Sequence, residues 1–314
     1  MSQPEVPIRA ALLAMAREDL PDDLAIRVER AVSAIWEPAW AGRSGGWPDV
    51  EVLVTAHDRL DATRLAQIPG LQVILTTSTA TNFVDTRYCS DHGIVVRNTP
   101  GYSGSSVAEH AVALMLAVVR HVPRLDAAAR SGADTADLVG RELAGTVAGV
   151  VGLGNVGARI ARIALGFGMD VIYANRSPRV LDGTRQVDLE VLLRAADAVF
   201  LSLPLPADGR PLLGAAEFAL MKDSAVIVNV SADELIDPSA LAQALSSGRL
   251  AGAGLDVIGS PAAYAGLPRT VLTPTHAWFT SEAIRRRADT WVSTLCLLAD
   301  GQMSVSASSR PLCD

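Results

Sequence analysis

The chain has 314 residues, 49% hydrophobic and 19% charged, which is enough apolar material for packed cores and, by length, for two domains. A formal net charge of −7 argues against nucleic acid as a general partner. No apolar run approaches the roughly 18 to 20 residues that cross a bilayer, and the scattered Cys89, Cys296 and Cys313 give neither a disulfide framework nor a metal-ligand spacing, so no metal is expected.

The opening stretch, MSQPEVPIRAALLAMAREDL, lacks a basic leader and interrupts its short apolar run with charge. No signal peptide is expected, and the odd cysteine count fits a reducing cytoplasm. Lys222 is the only lysine, read here as the codon bias of a GC-rich bacterial genome. Short apolar segments then alternate with longer Ala/Leu/Arg segments. Strands are expected over 10–15, 50–56, 71–77, 93–98, 146–154, 170–175, 197–204, 225–230, 251–258 and 270–274. Helices are expected over 106–122, 156–167, 188–196, 237–248 and 281–300. Strand–helix alternation with continuously apolar strands indicates a parallel sheet covered on both faces, with ligands at the strands' C-terminal ends.

The helix within Ser103 to Val122, with Ser105 or Ser106 as its N-cap, precedes a glycine motif. A second long helix starts near Ser281. The two suggest a chain that crosses between domains twice. A small domain would be assembled from 1–101 and 283–314, around a nucleotide domain over 102–282.

In VAGVVGLGNVGARIARIALGFGMDVIYANRSPR, the glycines Gly152, Gly154 and Gly157 form G-x-G-x-x-G after a strand and at the start of a helix. The first permits a tight turn, the second lets backbone approach a pyrophosphate, and the third allows close helix–strand packing. The phosphates would sit on the unpaired N–H groups of the helix start. With the preceding strand, the following helix and a second strand at the right distance, the motif is specific. At the end of that second strand an acid would accept from a ribose 2′-OH and repel a 2′-phosphate. The chain has Asn175 there, followed by Arg176 and Ser177, which favours NADP(H). The plainer alternative is that Arg176 and Arg179 are solvated surface charges.

These motifs, with NTPGYSGSSVAEHAVALML before them and LSLPLPADGRPLLGAAEFALMKDSAVIVNVSADELIDPSALAQAL, GRLAGAGLDV and LTPTHAWFTSEA after them, resemble the D-isomer-specific 2-hydroxyacid dehydrogenase family over about residues 50 to 300. The resemblance implies an α/β fold, a Rossmann-type doubly wound parallel sheet plus a smaller flavodoxin-like domain built from both chain ends. It implies a homodimer joined through the Rossmann domains. It also implies that the dinucleotide touches Asn155 and Val156, Leu203 and Pro204, Val230, Ser231 and Ala232, and Asp256 and His276.

Members of that family reduce 2-keto acids with an arginine, a glutamate and a histidine. In the arginine's segment, NxxRGxxxD read between Asn229 and Asp237, its place is taken by Ala232 and that of the next glycine by Asp233. After Leu255-Asp256-Val257 the chain reads IGSPAAYAG, with no carboxylate. Thr275 follows Pro274 where the histidine is expected, and His276 comes one place later. General acid–base catalysis contributes roughly 10²–10⁴ in rate and an oxyanion clamp on the order of 10²–10³, so simple 2-keto acids are poor candidate substrates. Thr275 and His276 are the candidate proton donors, with a loop or packing residue as the plainer role of His276. His110 matches a common family residue, with interdomain packing as its plainer role. Ser78, Thr79 and Ala80 fall in the family's carboxylate-binding loop of the small domain. Trp278 and Phe279 could wall the pocket or pack a helix.

The expected function is an NADPH-dependent reductase with a changed active site, delivering hydride to an imine or an unusual carbonyl in a biosynthetic setting. Two alternatives stay open: an NADP(H)-binding protein without redox turnover, and a 2-keto acid reductase with His276 as substitute donor.

Overall fold

The computed structural model describes residues 8–38, 47, 49–206, 209–256, 264 and 266–302. It divides into two compact units, Met1–Ser103 with Ser281–Asp314, and Gly104–Thr280.

The first unit holds strands β1 (Arg9–Leu13), β2 (Ser33–Glu37), β3 (Val52–Thr55), β4 (Val73–Thr76) and β5 (Val95–Arg97). They pair in parallel in the order β2-β1-β3-β4-β5, the flavodoxin-like order. Successive side chains of a strand point to opposite faces, and both faces here are buried. Leu12, Val54 and Leu75 pack with Leu24 and Val28 of α1 (Asp22–Ala31) and with Trp291 and Leu295 of the closing helix, Ser281–Ala299. Leu13, Leu53 and Ile74 pack on the other face with Leu65 of α2 (Ala62–Leu65) and Cys89 of α3 (Thr86–Asp91). Each such apolar side chain contributes about 1.5–3 kcal/mol by leaving water. Asp61 and Asp85 cap the two short helices by accepting from Arg64 N at 3.0 Å and Tyr88 N at 2.9 Å, satisfying otherwise orphaned donors.

The second unit carries β6 (Val147–Val151), β7 (Asp170–Ala174), β8 (Thr184–Gln186), β9 (Ala198–Leu201), β10 (Val226–Asn229), β11 (Gly252–Leu255) and β12 (Thr270–Leu272). All pair in parallel, in the order β12-β11-β10-β9-β6-β7-β8. The winding reverses between β6 and β9, and a doubly wound sheet opens a ligand crevice at such a point. One face is covered by α4 (Gly104–Val119), which α5 (Val122–Ser131) follows, and by α6 (Asn155–Gly166). The other is covered by α7 (Leu189–Ala195), α8 (Ala215–Leu220) and α9 (Pro238–Ser246). Helix α4 lies tight on β11. A Cβ on Gly254 would stand 2.8 Å from Leu114 Cβ, and one on Gly252 2.5 Å from Val118 Cγ1.

Three expectations need correction. Helix α4 begins at Gly104, so Ser105 and Ser106 lie inside its first turn and do not cap it; the Ser106 hydroxyl instead meets Thr280 Oγ1 at 2.8 Å. The helix stops at Val119, because His121 turns into the left-handed region (φ 55°) ahead of Pro123 in the first turn of α5, a residue that cannot continue a helix. Strands β2 and β8 were not foreseen. Both are edge strands, and the polar Thr-Arg-Gln of β8 carries no apolar signal. Among the described residues no helix is long and apolar enough to cross a membrane, and no cluster of His, Cys, Asp and Glu could hold a metal.

Candidate active site

The chain leaves β6 through the glycine motif, and each glycine has a distinct reason. Gly152 has φ 95°, and a Cβ there would stand 2.7 Å from the Ser202 carbonyl oxygen. A Cβ on Gly157 would fall 2.0 Å from the Gly152 carbonyl oxygen. These two glycines are required by the protein itself. Gly154, the N-cap of α6, has no heavy atom within 4 Å of its would-be Cβ and has an ordinary φ of −87°. Nothing in the chain demands a glycine there, whereas a group lying against the helix start would. The N-terminus of α6 offers unpaired N–H groups and the positive end of the helix dipole at that point. Asn155 turns its side chain aside: its Oδ1 accepts from Arg159 Nε at 3.2 Å and is the atom that a Cβ on Gly104 would meet. Toward a ligand it has its backbone N–H to offer. Val156 packs into the core beneath.

From this turn a cleft of about 730 Å³ opens beside β7 and β9. Gly152 and Gly154 line one end of it, and Leu203 and Pro204 give it an apolar wall. Arg176, Ser177 and Arg179 also line it, with Asp188 as the acidic member. Asn175 is tied at both ends of its amide. Its Oδ1 accepts from Leu153 N at 3.2 Å and its Nδ2 donates to the Ser177 carbonyl at 2.7 Å. The residues present therefore fit a dinucleotide: a glycine with open space beside it, a helix start, an apolar slot and cations in the lining.

Toward the other half of the sheet, Asp256 follows β11 with 2% exposure and four hydrogen-bonding or charged neighbours. Its Oδ1 accepts from Thr273 Oγ1 at 2.6 Å and from His276 N at 2.8 Å, and its Oδ2 accepts from Ala277 N at 2.9 Å. His110 of α4 reaches Thr273 Oγ1 with Nε2 at 2.9 Å and lies 3.5 Å from Asp256 Oδ1. The Thr273 hydroxyl donates to the carboxylate, so it accepts from the imidazole N–H. This pinned turn holds Thr275 at φ 55°, a conformation that costs a β-branched residue about 1–2 kcal/mol. His276 is exposed, with Nδ1 3.0 Å from the Pro274 carbonyl and its ring edge-on to Phe279 at 5.5 Å. Its Nδ1 donates, so Nε2 carries the lone pair in the neutral ring.

Residues 112–277 match the family profile described as D-isomer specific 2-hydroxyacid dehydrogenase, NAD binding domain. The chain belongs to that family. It is 34% identical over 272 residues to a glyoxylate reductase of Thermococcus litoralis, covering 81% of this chain and 82% of the relative. It is 36% identical over 213 residues to a hydroxypyruvate reductase of Thermotoga maritima, covering 67% and 70%. Among solved structures it resembles an acyclic imino acid reductase in complex with NADPH and D-Arg. That likeness has a TM-score of 0.83 and 27% identity, over 93% of this chain and 97% of the other. These relatives are named as reductases, and the matched NAD binding domain takes in the glycine turn.

In this member of the family the tip after β10 is built without a cation. Buried Asn229 shapes it, its Nδ2 donating to the Ala232 carbonyl at 2.9 Å and its Oδ1 accepting from Ser231 N at 3.0 Å. The Ser231 hydroxyl donates to the Leu201 carbonyl at 3.3 Å. Val230 and Ala232 pack on the two cores. Asp233 follows, its carboxyl pushed up to about 6 by desolvation and then by the neighbouring Glu234. Burial pushes the Tyr264 hydroxyl up as well, and the charges of Asp233 and Glu234 add to this. The stretch after Asp256 that lacks the expected glutamate falls mostly on 257–263 and 265, outside the described residues.

In the first unit, Ser78 is buried and Thr79 and Ala80 are exposed in the loop after β4. The loop is held by Thr76 Oγ1 donating to the Ser78 carbonyl at 3.0 Å, and by Asn98 Nδ2 donating to the Thr79 carbonyl at 2.9 Å. Sequence reasoning missed Thr273 and undervalued His110. The pattern L-T-P-T-H places Thr273 only as a strand end, and its role as the link between helix and carboxylate exists only in three dimensions. Trp278 and Phe279 meet edge to face at 5.1 Å, with Phe279 54% exposed.

Proposed function

We propose that the chain is an NADPH-dependent reductase whose acceptor is an imine. The observation that carries this reading is the tip after β10, where Ala232 and the carboxylate of Asp233 stand in place of a substrate-gripping arginine and its glycine. Bound, the dihydronicotinamide supplies a hydride to the substrate carbon. The Gly154 region and the start of α6 would hold the pyrophosphate, while Arg176 and Ser177 would take a 2′-phosphate. Charge-assisted hydrogen bonds contribute about 1.5–3 kcal/mol each, enough for a tenfold preference over NADH.

The residues at the catalytic end suit a cationic acceptor. A protonated imine takes up hydride to become a neutral amine, so no alkoxide forms and no guanidinium is needed. Asp233, when ionised, favours the cation. The Asp256 carboxylate fixes the turn at 275–277 so that Thr275 and His276 have set positions. The NADPH and D-Arg of the similar imino acid reductase support this reading.

His276 favours a second reading. With Nδ1 occupied by the Pro274 carbonyl, its Nε2 could serve a keto acid as proton donor once protonated.

NADPH consumption, measured with glyoxylate or hydroxypyruvate alone and then with added ammonia or a primary amine, separates the two readings. The imine reading expects turnover at least tenfold higher with the amine present. Brisk turnover of the keto acids alone overturns it.

A further inference from the structure

Arg176 and Ser177, the phosphate ligands of the proposed NADPH site, are both exposed, and an exposed arginine holds its side chain in place only at an entropic cost. The loop that carries them is tied down by three neighbouring side chains, two of which, those of Asn175 and Gln186, themselves line the cleft. Three side chains take three alternate carbonyls of the loop. Gln186, the last residue of β8, donates from Nε2 to the Asn175 carbonyl at 3.0 Å. Asn175 donates from Nδ2 to the Ser177 carbonyl at 2.7 Å while its Oδ1 accepts from Leu153 of the glycine turn. Tyr173 of β7, 3% exposed, donates its hydroxyl to the Arg179 carbonyl.

The effect on the ligand side follows from peptide geometry. In a trans peptide the N–H points opposite to the preceding C=O, and the chain has no cis peptide among the described residues. Drawing the Asn175 carbonyl toward Gln186 turns the Arg176 N–H away from the strand edge. Drawing back the Arg179 carbonyl fixes the return of the loop, so both arginines leave the backbone at set places beside the cleft they line. An aspartate at 175 could not make this brace, because it has no N–H for the Ser177 carbonyl. The exchange of acid for amide thus does more than remove a repulsive charge.

We propose that Tyr173, Asn175 and Gln186 are positioning residues that set the loop 175–179 in the shape that receives a 2′-phosphate. This inference rests on the NADPH reading. It adds Tyr173 and Gln186 to the residues that set the preference for one nucleotide over the other, and gives Asn175 a second part beyond its lack of charge.

The test is calorimetric titration of the full chain with 2′,5′-ADP and with 5′-AMP. Wild type is expected to bind 2′,5′-ADP at least tenfold more tightly. Tyr173→Phe and Gln186→Leu are each expected to reduce that ratio about fivefold, the worth of one net hydrogen bond, with the affinity for 5′-AMP changed less than twofold. Gln186 is exposed, so its variant folds whatever becomes of the buried tyrosine. A wild type that binds both nucleotides equally overturns the NADPH reading and this inference with it. A wild type that prefers 2′,5′-ADP, with variants that keep the full ratio or lose both affinities equally, overturns the brace alone.

Discussion

The two halves of one seven-stranded sheet carry tips of different character. Where β6 gives way to α6, the glycine turn is complete: a left-handed Gly152, an open Gly154, and a Gly157 closed against the first. At the tip of β10 and the turn after β12, the backbone is as firmly held, by Asn229 in one case and Asp256 in the other, and the side chains it presents are Ala232 and Asp233, Thr275 and His276. On the proposed reading, the contrast is that of a fold that preserves the delivery of hydride and changes what receives it. Backbone hydrogen bonds maintain the scaffold, and a few outward side chains carry the selectivity.

The sharpest way to break that comparison is at the glycines. Gly154→Ala introduces a methyl group that meets no protein atom. The cofactor-free melting temperature is expected to stay within about a degree, while NADPH affinity falls at least tenfold because the methyl occupies the approach to the helix start. Gly157→Ala drives a Cβ into the Gly152 carbonyl, and such overpacking costs about 1–3 kcal/mol. Its melting temperature is therefore expected to drop as well as its affinity. Thermal denaturation with and without NADPH distinguishes the two. Equal loss of folded stability in both variants would mean that Gly154 serves the protein and not a ligand.

A smaller effect is expected in the other half. Ala232→Arg restores a cation to the β10 tip, where an oxyanion partner is worth on the order of 10²–10³ in rate at full efficiency. With Asp233 beside it, a rise of about tenfold in glyoxylate turnover is expected, with a fall in imine turnover. If neither rate moves, this tip does not face the substrate.

The smallest effect concerns stability against pH. The Asp233 carboxyl sits near 6 in the folded chain, against 3.8 when unperturbed. Between those values the folded state binds a proton that the unfolded state has released, so stability falls as pH rises through that window. Asp233→Asn removes this loss. Its melting temperature is expected to exceed that of wild type by a few degrees at pH 7.5 and to match it at pH 4. The opposite pattern would show that the carboxylate is stabilised by a cation in the folded chain.

Much of the fold was legible because buried parallel strands are written as continuous apolar runs. AVIVNV and DVIYAN declare themselves without reference to anything distant. SAIWE and TRQ do not, because an edge strand owes its existence to a neighbour's backbone and not to its own side chains. The glycine turn was legible for a similar reason, since its constraints are local. The Asp256 network was not. It joins α4, the end of β11 and the turn after β12, and no spacing in the sequence announces that Thr273 stands between an imidazole and a carboxylate. The brace of the Arg176 loop was equally hidden, since Gln186 lies on a strand that had no signal of its own.

The grip of Asp256 has a consequence for how such a protein changes over generations. The carboxylate holds the N–H groups of residues 276 and 277, which every amino acid except proline supplies. Substituting the side chains at 275 or 276 therefore leaves the turn seated, even though Thr275 is a poor fit for its own torsion angle. The turn behaves like a tool holder: its clamp bears on the shank that all the tools share, and the working end can be exchanged without rebuilding the machine.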